Sequence, residues 1–183
     1  MKPIANLLFE AKMLKDIPRA GFAFLGAGNE SVAAHSFAVT FIAYVFSRLV
    51  PEIDAHRLIA MCLVHDLPES RIGDQNYVNK QYIRPDEAQA VADCTRHLPF
   101  AEDLSGLIDE FNGQTTQEAK LAHDADQLAF ILDLKAVRDI GIKTPDKWLP
   151  VVRERLKTDI GRQMALEILD TEWDAWWQDT YSE

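Results

Sequence analysis

The stretch Leu58-Ile59-Ala60-Met61-Cys62-Leu63-Val64-His65-Asp66-Leu67-Pro68-Glu69 places an ionisable pair at the end of an apolar run. Leu58, Met61 and His65 are spaced by three and four residues, which predicts a helix with His65 on its inward face. An imidazole and a carboxylate that are partly removed from water need a partner, and together they suit a divalent cation. The pair therefore predicts a metal site at the end of this helix.

A second inward histidine, His35, lies on a predicted helix over residues 30–49. It shares one helical face with Val39, Ile42, Phe46 and Leu49. Taken alone, His35 is equally consistent with a core histidine that is hydrogen-bonded to a backbone carbonyl. Two inward histidines on neighbouring helices, one of them followed by Asp, favour the metal site.

The fourth ligand must come from His123-Asp124-Ala125-Asp126, which contains two acids. Asp124 shares a face with Gln117, Lys120 and Gln127, a pattern typical of a solvated surface. Asp126 shares a face with Ala119, Ala122 and Ala129, small residues that let another helix approach closely. We therefore predict Asp126 as the ligand and His123-Asp124 as a coincidence of composition.

The whole chain predicts an all-α protein, because hydrophobic spacing is helical nearly everywhere and no segment alternates as a strand would. Predicted helices cover residues 4–14, 30–49, 54–67, 86–96, 102–111, 116–140 and 159–177, with a further one opening at Thr144-Pro145. Asn29 is the expected cap of the second helix, and residues 68–84 are expected to form an irregular loop. With 183 residues, 48% of them hydrophobic, the chain fits a single domain over residues 1–183.

The composition of the chain limits the kinds of binding partner and the cellular compartment that the sequence predicts. The net charge is −10, from 19 Lys and Arg against 29 Asp and Glu, which argues against a nucleic-acid polymer or an anionic membrane as partner. A small anionic ligand would need local neutralisation by a metal or a few basic residues. The two cysteines form no CxxC pair or disulfide framework. No secretory signal or membrane-spanning run is recognised, so a soluble cytoplasmic protein is expected.

The order His35, His65-Asp66, Asp126 resembles the H…HD…D signature of the HD-domain metal-dependent phosphohydrolases, which carry it on a helical bundle. Further matches make the chain similar to the 5′-deoxynucleotidases of that superfamily. They are Ile17-Pro18-Arg19-Ala20-Gly21, Glu30-Ser31-Val32-Ala33-Ala34-His35, His65-Asp66-Leu67-Pro68-Glu69 and Gly73-Asp74. The resemblance covers about residues 14–140, and helices over about 144–178 would pack on this HD-type core.

The resemblance implies a role for each matching residue. One divalent ion, Co, Mn, Mg, Zn or Fe, would be held by His35, His65, Asp66 and Asp126. Two imidazoles and two carboxylates leave open positions on a six-coordinate ion for a water and a phosphate oxygen. By resemblance Glu69 would orient or activate that water, Asp74 would act as general acid or contact the sugar, and Arg19 would bind phosphate. The implied substrate is a (deoxy)nucleoside 5′-monophosphate.

Two departures from the family pattern leave the substrate open. Gln75-Asn76-Tyr77 follows Gly73-Asp74 where the deoxynucleotidases usually have an apolar residue and a proline, and Phe22 stands near Arg19 where they often carry Trp. A phosphodiesterase or a triphosphate or alarmone hydrolase on the same metal site is one alternative. A metal-bound regulatory protein without turnover is another. Trp173, Trp176 and Trp177 are expected either in the core or at a homodimer contact.

Overall fold

The computed structural model describes residues 1–181 and shows an all-α protein, as predicted. Its helices are α1 (Lys2–Met13), α2 (Val32–Leu49), α3 (Ala55–Val64), α4 (Glu69–Ile72), α5 (Asn79–Tyr82), α6 (Glu87–Thr95), α7 (Ala101–Gly113), α8 (Gln117–Asp139), α9 (Pro145–Glu154), α10 (Asp159–Asp170) and α11 (Ala175–Tyr181). A 3₁₀ helix spans Ala20–Phe24. The described residues contain no strand, only one antiparallel bridge between Pro18 and Ser31.

Three helices, α2, α3 and α8, pack against one another and form the centre of the molecule. Their inward residues, including Val39, Phe46, Leu58 and Leu128, are completely buried. α9 and α10 also pack on α8. The long helix α8 is therefore covered on several sides, which explains its many buried alanines.

A smaller apolar cluster joins α1, the end of the α3 region and α6–α7. Leu14, Val32 and Leu67 are among its buried members. This cluster holds the chain segment that leads into Arg19 against the start of α2. The two clusters together fix the ends of the helices that carry the predicted ligands.

Several sequence predictions about helix ends are corrected. Ser31, rather than Asn29, caps α2, since its side chain accepts a hydrogen bond from the Ala34 amide. The bridge between Pro18 and Ser31 keeps residue 31 extended, so the helix cannot begin before Val32. The irregular stretch 68–84 contains two short helices, α4 and α5.

The predicted last helix over residues 159–177 is wrong, because the chain breaks between α10 and α11. The amide of Trp173 donates to Asp139 at 3.1 Å, which anchors the break on α8. Trp173, Trp176 and Trp177 are 47%, 78% and 42% exposed, so core packing does not account for them. Leu49, predicted on the inward face of α2, is also exposed.

The expectation that no run approaches a membrane span needs correction too. Helix α2, with a mean hydropathy of 1.4, is long and apolar enough to cross a membrane by length and composition. In this fold α2 packs against α3 and α8. Its apolar character is accounted for in part by that packing.

Candidate metal centre

His35 and Asp126 meet at the contact between α2 and α8. The Nε2 atom of His35 lies 2.9 Å from Oδ1 of Asp126. The His35 side chain is completely buried, and Gln127 donates to the other carboxylate oxygen of Asp126 at 2.7 Å. Asp126 reaches His35 because the small residues Ala122 and Ala129 on its face are buried, as predicted.

His65 and Asp66 enter the same site from the end of α3. The Nδ1–H group of His65 donates to the carbonyl of Cys62 at 2.8 Å, since a carbonyl can only accept. In the neutral ring the lone pair is therefore on Nε2, an atom that is buried without a hydrogen-bond partner. Asp66 Oδ2 lies 3.2 Å from that nitrogen and 3.8 Å from Nε2 of His35.

The four predicted ligands thus converge, and three of them fit a metal on geometry alone. Ligand atoms of His35, His65 and Asp126 all lie within 4.8 Å of one another. Asp66 Oδ2 is buried and unpartnered beside them. The buried and unpartnered atoms of His65 and Asp66 are what a divalent cation would satisfy, and His35 and Asp126 offer further donor atoms beside them. The donor set therefore fits the metal that the sequence predicts.

The charges of these groups are strongly coupled. Burial alone would lower the pKa of His65, but the charge of Asp66 and its contact raise it to about 9. Burial alone would raise the pKa of Asp126, yet the hydrogen bond and charge of His35 hold it well below its usual range. Carboxylates and imidazoles are therefore in contact at this centre, and a cation bound there would be balanced by the same carboxylates.

Glu69 begins α4, directly after Pro68, and lines the same cleft as His65 and Asp66. Its Oε2 atom is buried without a hydrogen-bond partner. Burial, followed by the charges of Asp66 and Asp74, raises the pKa of Glu69 to about 8. Glu69 is therefore a partly buried acid beside the predicted ligands that can hold or accept a proton near neutral pH.

Arg19 begins the loop of residues 19–30 that precedes α2, called the Arg19 loop below, and Asp74 lies in the segment after α4. The guanidinium of Arg19 lies 3.5 Å from Asp66 Oδ2. Asp74 Oδ2 accepts a hydrogen bond from the amide of Ala20 at 2.7 Å. Asp74 therefore holds the Arg19 loop in place as well as lining the cleft, a structural role that the sequence did not suggest.

The Arg19 loop is closed at its base by backbone hydrogen bonds. The amide of Arg19 donates to the carbonyl of Glu30, and that of Val32 donates to Ile17, both at 2.9 Å. Beyond this base the 3₁₀ helix brings Phe22 and Phe24 to the cleft. The loop therefore projects from the start of α2, close to His35.

A cleft of about 250 Å³ opens over the ligands. Its floor contains His65, Asp66 and Asp126, and Glu69 and Asp74 line it as well. Much of the remaining wall is aromatic or basic, and these residues include Phe22, Phe24, Tyr77, Lys80, Phe111, Phe130, Trp148 and Arg155. Gln75 and Asn76, which depart from the family pattern, also lie on this wall.

The sequence missed several of these wall residues. Trp148 and Arg155 belong to the region of α9, and no motif marks them. The Trp148 ring lies 6.4 Å from each of the rings of Tyr77 and Phe130, approached edge-on by both. Only the packing of α9 on α8 brings them to the cleft, and that contact leaves no local signal.

The sequence-based prediction that Asp124 lies on a solvated face is wrong. It is completely buried, and its carboxylate accepts hydrogen bonds from the Lys157 amide at 2.7 Å and the Thr158 amide at 2.8 Å. The Thr158 hydroxyl donates to it as well. Asp124 thus anchors the start of α10, whereas Asp126, the predicted ligand, lies beside His35.

Known proteins of one family resemble this chain in sequence. A model of a family described as an HD domain matches residues 11–167. The chain is 29% identical over 136 residues to the 5′-deoxynucleotidase HDDC2 of Mus musculus, covering 71% of this chain and 67% of that protein. It is 29% identical over 131 residues to the 5′-deoxynucleotidase hdd1 of Schizosaccharomyces pombe, covering 66% and 65% of the two chains. The chain thus spans about two thirds of the length of these curated relatives.

Solved structures share the fold over most of the chain. A conserved hypothetical protein of Pyrococcus furiosus superposes with a TM-score of 0.77 at 28% identity, over 91% of this chain and 99% of that one. A predicted metal-dependent phosphohydrolase of Magnetospirillum magnetotacticum gives a TM-score of 0.70 at 23% identity, over 92% and 93%. The second likeness bears on the fold alone.

Proposed function

The chain belongs to the HD-domain family of metal-dependent phosphohydrolases, and we propose that it releases phosphate from nucleoside 5′-monophosphates, with deoxyribonucleotides preferred. The observation that carries the proposal is the convergence of His35, His65, Asp66 and Asp126 beneath a cleft that also contains a guanidinium. The names of the curated relatives support the deoxynucleotide preference.

The four ligands would hold one divalent ion, which supplies an acidified water and charge stabilisation for the phosphoryl oxygens. Arg19, beside Asp66, is placed to bind a phosphate oxygen next to the ligands, and its planar fork suits that group. Several carboxylates line the cleft, and of the basic residues that line it Arg19 is the one in contact with a predicted ligand. Arg19 thus provides the local neutralisation that the acidic chain requires.

Glu69 would orient the attacking water and take its proton. Its carboxyl is buried beside Asp66, and its unpartnered Oε2 has no competing hydrogen bond. Asp74 is bound to the Ala20 amide through Oδ2. We assign Asp74 to the leaving-group side of the cleft, where it contacts the sugar or protonates the leaving oxygen, while it also holds the Arg19 loop.

The aromatic wall would receive the nucleoside. Tyr77, Phe130 and Trp148 form a continuous edge-to-face cluster on the cleft. Aromatic faces bind nucleobases by stacking, which is tolerant of base identity. The cleft volume of about 250 Å³ suits a mononucleotide better than a polymer.

Phosphate release tests the proposal directly. Deoxyribonucleoside and ribonucleoside 5′-monophosphates are supplied with Co²⁺, Mn²⁺, Mg²⁺ or Zn²⁺, beside a phosphodiester, a nucleoside triphosphate and an alarmone. We expect phosphate from the 5′-monophosphates and at least a tenfold loss for Arg19→Ala. Cleavage of the diester, or pyrophosphate release with the monophosphates left intact, would replace this function by one of the alternatives. Metal binding without hydrolysis of any substrate would indicate a regulatory protein.

A further inference from the structure

Glu30 lies on the side of His35 that is opposite to Asp126. Its Oε2 atom is 3.8 Å from Nδ1 of His35, whereas Asp126 contacts Nε2. Oε2 of Glu30 and Nδ1 of His35 are both buried, and neither has a hydrogen-bond partner. The proposed function gives Glu30 no role.

The chemistry of imidazole requires an acceptor at this position. If Nε2 of His35 directs its lone pair at a cation, the single proton of the neutral ring is on Nδ1. A buried N–H group without an acceptor costs about 1–3 kcal/mol. Among the described residues, Glu30 is the only acid that forms an ion-pair contact with Nδ1. A small movement of either side chain therefore completes the missing hydrogen bond.

Glu30 is itself held from two further directions. Its backbone carbonyl accepts the Arg19 amide at 2.9 Å. Its carboxyl group shares a hydrogen bond with that of Asp133, which follows Asp126 by seven residues on α8. Both acids border a second cavity, of about 660 Å³. These contacts fix the acid that faces Nδ1.

We infer that Glu30 is a positioning residue for the metal centre. It accepts the Nδ1–H group of His35 and thereby fixes the ring with Nε2 directed at the ion. Through its backbone it also sets the start of the Arg19 loop, so one residue connects a metal ligand to the proposed phosphate-binding arginine. The inference rests on the proposed metal-dependent function.

Cobalt binding by the full chain tests this role without any measurement of turnover. Glu30→Ala is expected to weaken Co²⁺ affinity about 10- to 100-fold, the usual effect of removing such a partner, and to change the visible absorption spectrum of the bound ion. Glu30→Gln, whose amide oxygen still accepts, should lose less. Asp16→Asn is the matched control, because Asp16 borders the same cavity but makes no ion pair with His35, and it should retain wild-type affinity.

An unchanged spectrum with an affinity within twofold of wild type in Glu30→Ala would overturn the inference while leaving the metal centre intact. Failure of the wild-type chain to bind Co²⁺ would instead remove the proposed function and this inference with it. If Glu30→Ala does not fold, nitrogen NMR of the wild-type Zn²⁺ form decides the question. A protonated Nδ1 with metal-bound Nε2 on His35 supports the role, and metal on Nδ1 refutes it.

Discussion

At the scale of the residue, two acids separated by one position on α8 serve unrelated purposes. Asp126 points towards His35 and the cleft, whereas Asp124 points the opposite way and binds the start of α10. On a helix, residues two apart face nearly opposite directions, so one helix can hold the candidate site and anchor the fold.

Substituting Asp124 and Asp126 by Asn, one at a time, separates the anchoring of α10 from the predicted metal binding. Asp124→Asn is expected to lower the free energy of unfolding by about 2–3 kcal/mol, because an amide cannot accept all three hydrogen bonds of a buried carboxylate. Its metal affinity should stay within about twofold of wild type. Asp126→Asn should lose more than about 100-fold in metal affinity. Thermal unfolding and metal titration of both variants give the answer, and loss of metal by Asp124→Asn would contradict the ligand assignment.

The stability of the protein without added metal should depend on pH, because three of its buried or partly buried groups have raised pKa values. The pKa values of Glu30, Glu69 and His65 are raised to about 7, about 8 and about 9, from ordinary values of 4.5, 4.5 and 6.5. A raised pKa means that the folded form holds its proton more tightly. Stability from these groups is therefore present at low pH and is lost as pH rises through the folded values.

We therefore expect the unfolding temperature of the metal-free protein to fall between about pH 5 and pH 9. Saturating metal should flatten this fall, because coordinated His65 is neutral throughout. Scanning calorimetry with and without metal makes the comparison. If the unfolding temperature without metal is constant or rises over this range, the raised pKa values of Glu30, Glu69 and His65 are wrong.

The sequence was sufficient for the positions of His35, His65 and Asp126, because each lies on a helix face whose other members are apolar or small. It was not sufficient for Asp124, whose neighbours on the helix face looked solvated. That face is covered by residues 157–158, more than thirty positions further along the chain. Trp148 was missed for the same reason, since helix periodicity shows that a face is buried or exposed but not which helix covers it.

At the scale of the element, the docking of α10 on α8 depends on the absence of a side chain at Gly161. A Cβ atom there would lie 2.3 Å from Oδ2 of Asp124, whereas a Cβ at Gly106 in α7 would meet nothing within 4 Å. Both glycines lie inside helices, where alanine is otherwise preferred by about 1 kcal/mol.

The two glycines should therefore respond in opposite ways to the same change. Gly106→Ala is expected to raise the free energy of unfolding by about 0.5–1 kcal/mol, through helix propensity. Gly161→Ala should lower it by about 1–3 kcal/mol, because Asp124 must move out of its hydrogen bonds. Urea unfolding of both variants measures the difference. A stabilised Gly161→Ala protein would mean that α10 packs less closely than described.

The sequence predicted which segments form helices better than it predicted where those helices begin and end. Asp54 and Thr116 cap α3 and α8 where the predicted helices begin, because capping chemistry is local. The start of α2 was misplaced because it depends on a bridge to Pro18, thirteen residues earlier. The break before α11 likewise depends on Asp139 of α8. Ends that depend on distant partners have no local signal.

At the scale of the whole molecule, apolar side chains that are exposed on two of the described helices could each join copies of the chain. One is the α11 region, where Trp176 is 78% exposed, and the other is α2, where Phe41 is 58% exposed between Phe37 and Tyr44. The tryptophan-rich end of the chain remains our predicted homodimer contact.

Light scattering coupled to gel filtration tests this prediction with a matched pair of substitutions. Trp176→Glu is expected to give monomers, because a charge in an apolar contact is costly to desolvate. Phe41→Glu should leave the dimer intact. The reverse pattern would assign the contact to α2, and a monomeric wild-type chain would contradict the prediction altogether.

The closed base of the Arg19 loop allows the outer part of the loop to vary. Leu25 is buried and Arg19 is held by Glu30 and Asp66, but a Cβ at Gly26 would meet nothing within 4 Å. Lengthening a loop that is already closed costs little, about 0.6 kcal/mol for each doubling. Insertions after Gly26 can therefore accumulate among descendants of this chain without moving Arg19. The same point would accept a peptide tag or fluorescent reporter in the intact protein.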